Sequence, residues 1–193
     1  IGPFPSNTPV VVTLERVGDA SCNVVLGTFT YDCSTFGQNA LDFDAVNDVV
    51  NCGTGSSINI SGNQITLEAW IFPTAWRTGS FEGTIINKES LASSGYMLRC
   101  GNNGTLSFAF GNGTGFPEVL SSAGTLTLNT WQHVAATYDG TTMRIFRNGV
   151  QVGSSANTTN IAAAPTIALA LGSSVSYPCL LYTSDAADDL LCV

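Results

Sequence analysis

Apolar and polar positions alternate from Trp131 to Val152, and two dipeptides that tolerate positive φ, Asp139-Gly140 and Asn148-Gly149, interrupt the alternation at hairpin spacing. This predicts three consecutive antiparallel strands. Similar short runs, each closed by Gly, Asn or Asp, predict strands at Leu41–Phe43, Asp48–Asn51, Gln64–Phe72, Thr84–Asn87, Tyr96–Cys100, Thr105–Phe110, Trp131–Tyr138, Thr142–Arg147, Val150–Ser154 and Thr166–Leu171. Strands at this interval predict an all-β, antiparallel, two-sheet sandwich of the jelly-roll kind. Within the Gln64–Phe72 run, Leu67, Ala69 and Ile71 share one face while Trp70 and Phe72 share the other. Both faces are therefore partly apolar, which predicts a strand in the middle of its sheet.

The pattern divides the chain unevenly. Residues 1–38 carry Pro3, Pro5 and Pro9 and two apolar strands, Val10–Leu14 and Asn23–Tyr31, and are expected to be an N-terminal β segment or a linker from a preceding region. Residues 39–178 hold the regular strand series and one sandwich domain. In residues 179–193 the alternation stops and an Ala/Asp/Leu stretch replaces it, similar to the read-through of a sequencing adaptor, so this part is expected to be a non-native tail.

Composition fits a turn-rich β protein: 10% of residues are charged, 44% are hydrophobic and 20 are Gly. A formal charge of -8 with no cluster of Lys and Arg would repel a phosphate backbone, so nucleic acid is not an expected partner. No apolar run is long enough for membrane insertion, and the first residues, Ile1-Gly-Pro-Phe-Pro, lack a charged segment followed by an apolar one, as in a mature secreted fragment. The cysteines form no C-x-x-C pair, and a single His cannot complete a zinc set with them, so disulfides and an oxidising compartment are expected. Spacing does not choose among the connectivities open to Cys22, Cys33, Cys52 and Cys100; the working pairing is Cys22 with Cys33 and Cys52 with Cys100.

The runs Ala40-Leu-Asp-Phe-Asp-Ala-Val-Asn-Asp-Val-Val, Ile65-Thr-Leu-Glu-Ala-Trp-Ile-Phe-Pro, Gly83-Thr-Ile-Ile-Asn-Lys, Trp131-Gln-His-Val-Ala-Ala-Thr-Tyr-Asp-Gly and Arg147-Asn-Gly-Val together resemble the laminin-G-like jelly roll of the concanavalin A-like lectin/glucanase superfamily, in the form found as repeats of bacterial secreted or surface proteins. The chain departs from that family at Phe43-Asp44-Ala45 and Val49, where a Gly and an aromatic are usual, and after Ile167–Gly172, where a further strand is usual. The resemblance therefore implies a sandwich lacking its last strand. It also implies a non-catalytic module, secreted or at a cell surface within a longer multidomain chain, that binds a glycan or another cell-surface or extracellular-matrix ligand. The alternative is a spacer repeat that binds nothing specific, with a glycoside hydrolase a more distant one.

Candidate chemistry is sparse. Glycoside hydrolysis by the retaining route needs two carboxyl groups about 5 Å apart. Asp42 and Asp44 are the nearest pair, without a supporting acid, and Glu68 stands alone, so no catalytic residue is assigned. His133 shares a face with Trp131 and Ala135 and has no nucleophile motif to serve, so it is expected to be structural. Asp42, Asp44, Asn47 and Asp48 offer the oxygen donors that calcium requires, with Asn102, Asn103 or Asp139 as lenders from other loops, or else form a polar turn. A sugar needs an aromatic plane ringed by polar groups; Trp76, Arg77 and Phe81 in one loop and Phe116 in another are the candidates, with a lid over the sandwich as the other reading. Sequons at Asn59, Asn103, Asn112 and Asn157 match a glycosylation pattern that an Asn/Thr-rich chain produces by chance.

Overall fold

The computed structural model describes the backbone of residues 8–16 and 19–31 and, in full, residues 41, 43, 48–77 and 83–172. The chain divides into two compact units, 1–42 and 43–193. In the first, β1 (Thr8–Arg16) and β2 (Asp19–Tyr31) form an antiparallel hairpin with register shifts between Val12 and Thr13 and between Leu14 and Arg16. Both strands contain the shorter runs expected from sequence.

The second unit is a two-sheet sandwich. Among the described residues its strands are β3 (Val50–Asn51), β4 (Ile65–Ile71), β5 (Gly83–Asn87), β6 (Tyr96–Cys100), β7 (Leu106–Phe110), β8 (Glu118–Leu120), β9 (Gln132–Tyr138), β10 (Thr142–Arg147), β11 (Val150–Ala156) and β12 (Ala170–Leu171), with a 3-10 turn at Ser56–Ile58. One sheet has the order β11-β10-β9-β4 and the other β3-β12-β5-β6-β7-β8. Every pairing is antiparallel, as the hairpin chemistry predicts. Leu41 and Phe43 lie outside any strand, and β8, reached through Pro117, was not foreseen.

Alternation fixes the core. On β9, Val134, Ala136 and Tyr138 point inward, and on β10 Met143 and Ile145 do the same; they meet Leu98, Leu106, Phe108 and Phe110 of the facing sheet. Burying each large side chain contributes roughly 1.5–3 kcal/mol. Phe110 and Tyr138 have ring centroids 4.8 Å apart across the sheets, and the Tyr138 hydroxyl donates to the Thr159 carbonyl at 2.7 Å. The sheets close on each other where β11 passes β8: a Cβ on Gly153 would lie 2.8 Å from the Leu120 carbonyl oxygen.

Polar side chains build the loops. Asn103, Asn112 and Asn157 each use Oδ1 to accept from the backbone N–H and the hydroxyl of the Thr two residues later, and Asp139 does the same with Thr141. This is the Asx turn, which gives a physical reason for three of the four N-x-T/S repeats. The Asn148-Gly149 turn is a two-residue hairpin with φ of 49° and 78°, as its sequence predicts. No helix among the described residues is long and apolar enough to cross a membrane.

Candidate functional site

The outward face of the β4–β9 pair carries an aromatic cluster. The register places Trp70 opposite His133 and continues to Phe72 and Trp131, with Glu68 one step earlier. Ring centroids are 5.4 Å apart for Trp70 and His133 and 5.5 Å for Phe72 and Trp131. Trp70 is 64% exposed and Phe72 42%. These are large apolar surfaces held in water on the rigid part of the fold. A shallow depression of about 550 Å³ is lined by Trp70, Trp131, His133 and Asn148.

Backbone pairing and a buried polar anchor hold this face in place. The Asn129 N–H donates to the Pro73 carbonyl at 2.8 Å, tying the start of β9 to the exit of β4 beside Phe72 and Trp131. Gln132, fully buried, donates from Nε2 to the Thr127 carbonyl at 2.8 Å and accepts from Arg147 Nε at 2.9 Å. Asn148 accepts the His133 N–H through Oδ1 at 2.8 Å, while its own N–H donates to the His133 carbonyl at the same distance. The β10–β11 turn is thereby fastened beside the imidazole, and His133 Nε2 lies 3.5 Å from Glu68 Oε2. The face thus combines flat apolar rings with an imidazole, a carboxylate and an exposed amide.

Of the residues expected to bind a ligand, Trp76 and Phe116 are not brought together. Trp76 is half-buried and packs against the core near Gly104, and Arg77 is half-buried with Nη2 enclosed. Phe116 is half-buried in the loop that follows β7, whereas Gly104 precedes β7, so Trp76 and Phe116 sit at opposite ends of that strand. Of the two readings, the lid fits Trp76. Phe81 lies outside the described residues. β4, expected in the middle of its sheet, ends the four-stranded sheet among the described residues, and its second apolar face is exposed rather than covered. The His133 and Trp70 platform was missed because it forms only once residues far apart in sequence are paired; the two-sided apolarity of β4 was the signal.

Asp42, Asp44 and Asn47 lie outside the described residues, and Asp48 is half-buried. Among the described residues no group of three His, Cys, Asp or Glu is placed to hold a metal. The lenders suggested from sequence are engaged: Asn103 Oδ1 serves Thr105, and Asp139 binds Thr141, Thr142 and Arg144 Nη1, the last at 2.5 Å. Those contacts hold the Asp139 carboxyl well below the usual carboxylate range, the Arg144 guanidinium contributing most. Asn103 and Asp139 are also at opposite ends of the sandwich, because Tyr138 meets Phe110 at the far end of β7 from Asn103.

Cys52 and Cys100 are free thiols, so the pairing expected between them is not present. β12 and β5 separate their strands, which puts them roughly 14 Å apart across the sheet alone, beyond the ~7 Å that a disulfide spans. Cys100 Sγ instead contacts the Gly83 carbonyl at 3.3 Å, and burial pushes its thiol up to about 11. Cys33 and the side chain of Cys22 lie outside the described residues.

Residues 44–181 match the laminin-G model of the concanavalin A-like lectin/glucanases superfamily. The chain belongs to that superfamily. Among solved structures it is similar to the botulinum neurotoxin serotype C1 binding domain, with 18% identity, a TM-score of 0.47 and coverage of 64% of this chain and 30% of that one. The mouse laminin alpha1 LG4-5 domains align at 20% identity and a TM-score of 0.44 over 64% of this chain and 30% of theirs. The CBM40 of the Ruminococcus gnavus IT-sialidase, bound to alpha2,3 sialyllactose, aligns at 12% identity and 0.45 over 58% and 68%. The chain spans between 27% and 36% of the length of three of the solved structures it matches. No curated protein matches it in sequence. On the aromatic face of this lectin/glucanase-type sandwich, Glu68 is the sole acid among the outward-facing described residues of β4, β9 and β10. A two-carboxylate mechanism therefore has one of its two groups there.

Proposed function

We propose that this sandwich is a non-catalytic carbohydrate-binding module of a secreted or cell-surface protein, and that the glycan lies on the Trp70 and Trp131 face. The observation that carries the reading is the exposed aromatic pairing on β4 and β9, with Asn148, His133 and Glu68 at its border. A pyranose presents an apolar ring face and a hydroxyl rim, and this surface offers a flat apolar plane with donors and acceptors beside it. Strand positions preorganise the rings, so little side-chain freedom is lost on binding.

A glycan array followed by titration calorimetry tests this. Trp70→Ala should weaken binding by about thirtyfold or more, with β-sheet content unchanged, whereas Trp76→Ala should act through stability. An array on which nothing binds would favour the spacer reading, and release of reducing ends from a β-glucan would favour a hydrolase. Calcium at Asp42, Asp44, Asn47 and Asp48 is a separate proposal, supported by several oxygen donors in one short loop. In that case calcium should raise the melting temperature of the wild type but not of Asp44→Asn. A Cys22 to Cys33 bridge and neighbouring domains in a longer chain complete the extracellular reading.

A further inference from the structure

We infer that the platform takes a neutral, linear glycan of several sugar rings and discriminates against acidic sugars, an inference that rests on the carbohydrate-binding reading above. Two observations carry it: the arrangement of the rings and the disposition of the Lys and Arg residues described in the sandwich.

The aromatic groups form two consecutive rows. Trp70 with His133 makes one, and Phe72 with Trp131 the next, offset by two residues along β4. Two residues of extended strand cover about 7 Å. The rows are thus separate stacking planes for successive rings of one chain running along the strand, and a single sugar covers only one of them. A chain whose rings present their faces in a flat ribbon fits this arrangement.

The charges point to a neutral ligand. The chain has six Lys and Arg residues. Lys88 is fully buried and donates to the Ile167 carbonyl. Arg99 is paired with Glu118 on the other sheet, Arg144 with Asp139, and Arg147 with Gln132 and Thr127. Arg77 is half-buried in the Trp76 loop. The fixed charge at the platform is Glu68, whose side chain is 68% exposed. A sialic acid or uronate carboxylate would lose water and meet a like charge, with no Lys or Arg among the described residues of the sandwich set aside to receive it. A neutral hydroxyl rim meets no such opposition.

The test is calorimetry on the intact chain with three sets of probes: β-1,4-linked gluco-oligosaccharides as di-, tetra- and hexasaccharide, oligogalacturonates of the same lengths, and 3′-sialyllactose. Affinity for the neutral series should rise about tenfold from di- to tetrasaccharide, and Phe72→Ala should remove that gain. The acidic probes should bind at least tenfold more weakly than neutral ones of equal length, and Glu68→Gln should narrow the gap. A tetrasaccharide bound no better than the disaccharide, or acidic probes bound as tightly as neutral ones, overturns this inference while leaving carbohydrate binding intact. Absence of binding to any probe in the three sets and to the array overturns both.

Discussion

Gly95 and Gly115 show how differently one residue type can act in the same unit. Gly95 has φ of 85°, its N–H donates to the Ala162 carbonyl at 2.8 Å, and a Cβ there would overlap the Lys88 carbonyl oxygen. Gly115 has nothing within 4 Å of the corresponding position and no positive φ. Gly95→Ala should therefore cost more than about 2 kcal/mol, since both backbone and packing oppose it. Gly115→Ala should lie between neutral and about 1 kcal/mol stabilising, through the unfolded chain. Urea unfolding of the two variants beside the wild type checks the contrast; equal costs would mean that the Gly95 turn relaxes. Sequence alone shows two glycines in loops. The same blindness affected the sequons, where the repeated Asn-x-Thr spacing records Asx turns that Asp139 builds equally well with Thr141.

At the scale of elements, the β9–β10–β11 meander was legible because alternation and turn chemistry agree over the whole stretch. The positive φ of Asn148 and Gly149 is what a two-residue hairpin requires. Asn148 also closes the platform, and here two variants separate its roles. Asn148→Gly keeps the backbone conformation and loses only the side-chain bond to the His133 N–H, for about 1 kcal/mol. Asn148→Ala loses that bond and adds the penalty of a left-handed alanine, for about 2 kcal/mol in all. If binding depends on the amide, both variants should weaken it equally despite unequal stability, which calorimetry beside thermal melts would show. What sequence did not reveal was the place of β4. Apolar residues on both faces suit a covered strand as well as one with an open side, and the exposure of Trp70 and Phe72 shows that this side is open. β8 escaped because three residues carry too little period to read.

For the whole molecule, the buried titratable groups set an asymmetric dependence of stability on pH. Burial raises Cys100 to about 11 and Tyr96 to about 12, raises Tyr138 as well with the Asp139 charge adding to it, and lowers Lys88. A raised acid in the folded state means that, between its unfolded and folded values, the unfolded chain has already released a proton that the native chain keeps. Stability then falls as pH rises. Lys88 works in the opposite direction below 10.5, because the native chain releases its proton first. With three groups against one, the net expectation is a decline beginning near pH 9, where free thiols ionise, and steepening as the two tyrosines join near 10. Cys100→Ser should flatten the first part of that decline and leave the second, since Tyr96 keeps its hydroxyl bond to the Ile58 carbonyl at 2.7 Å. On the acid side the sign reverses. Asp139 is held low by Arg144 and its own turn, so its contribution is present above the ordinary carboxylate range and is lost only as pH falls through the depressed folded value. Asp139→Asn should therefore leave the alkaline limb untouched and lower stability at neutral pH, with less of a drop on acidification. Melting temperatures from pH 2 to 11 for the wild type and the two variants would read all three limbs, and a Cys100→Ser profile parallel to the wild type above pH 9 would remove the buried thiol from the account.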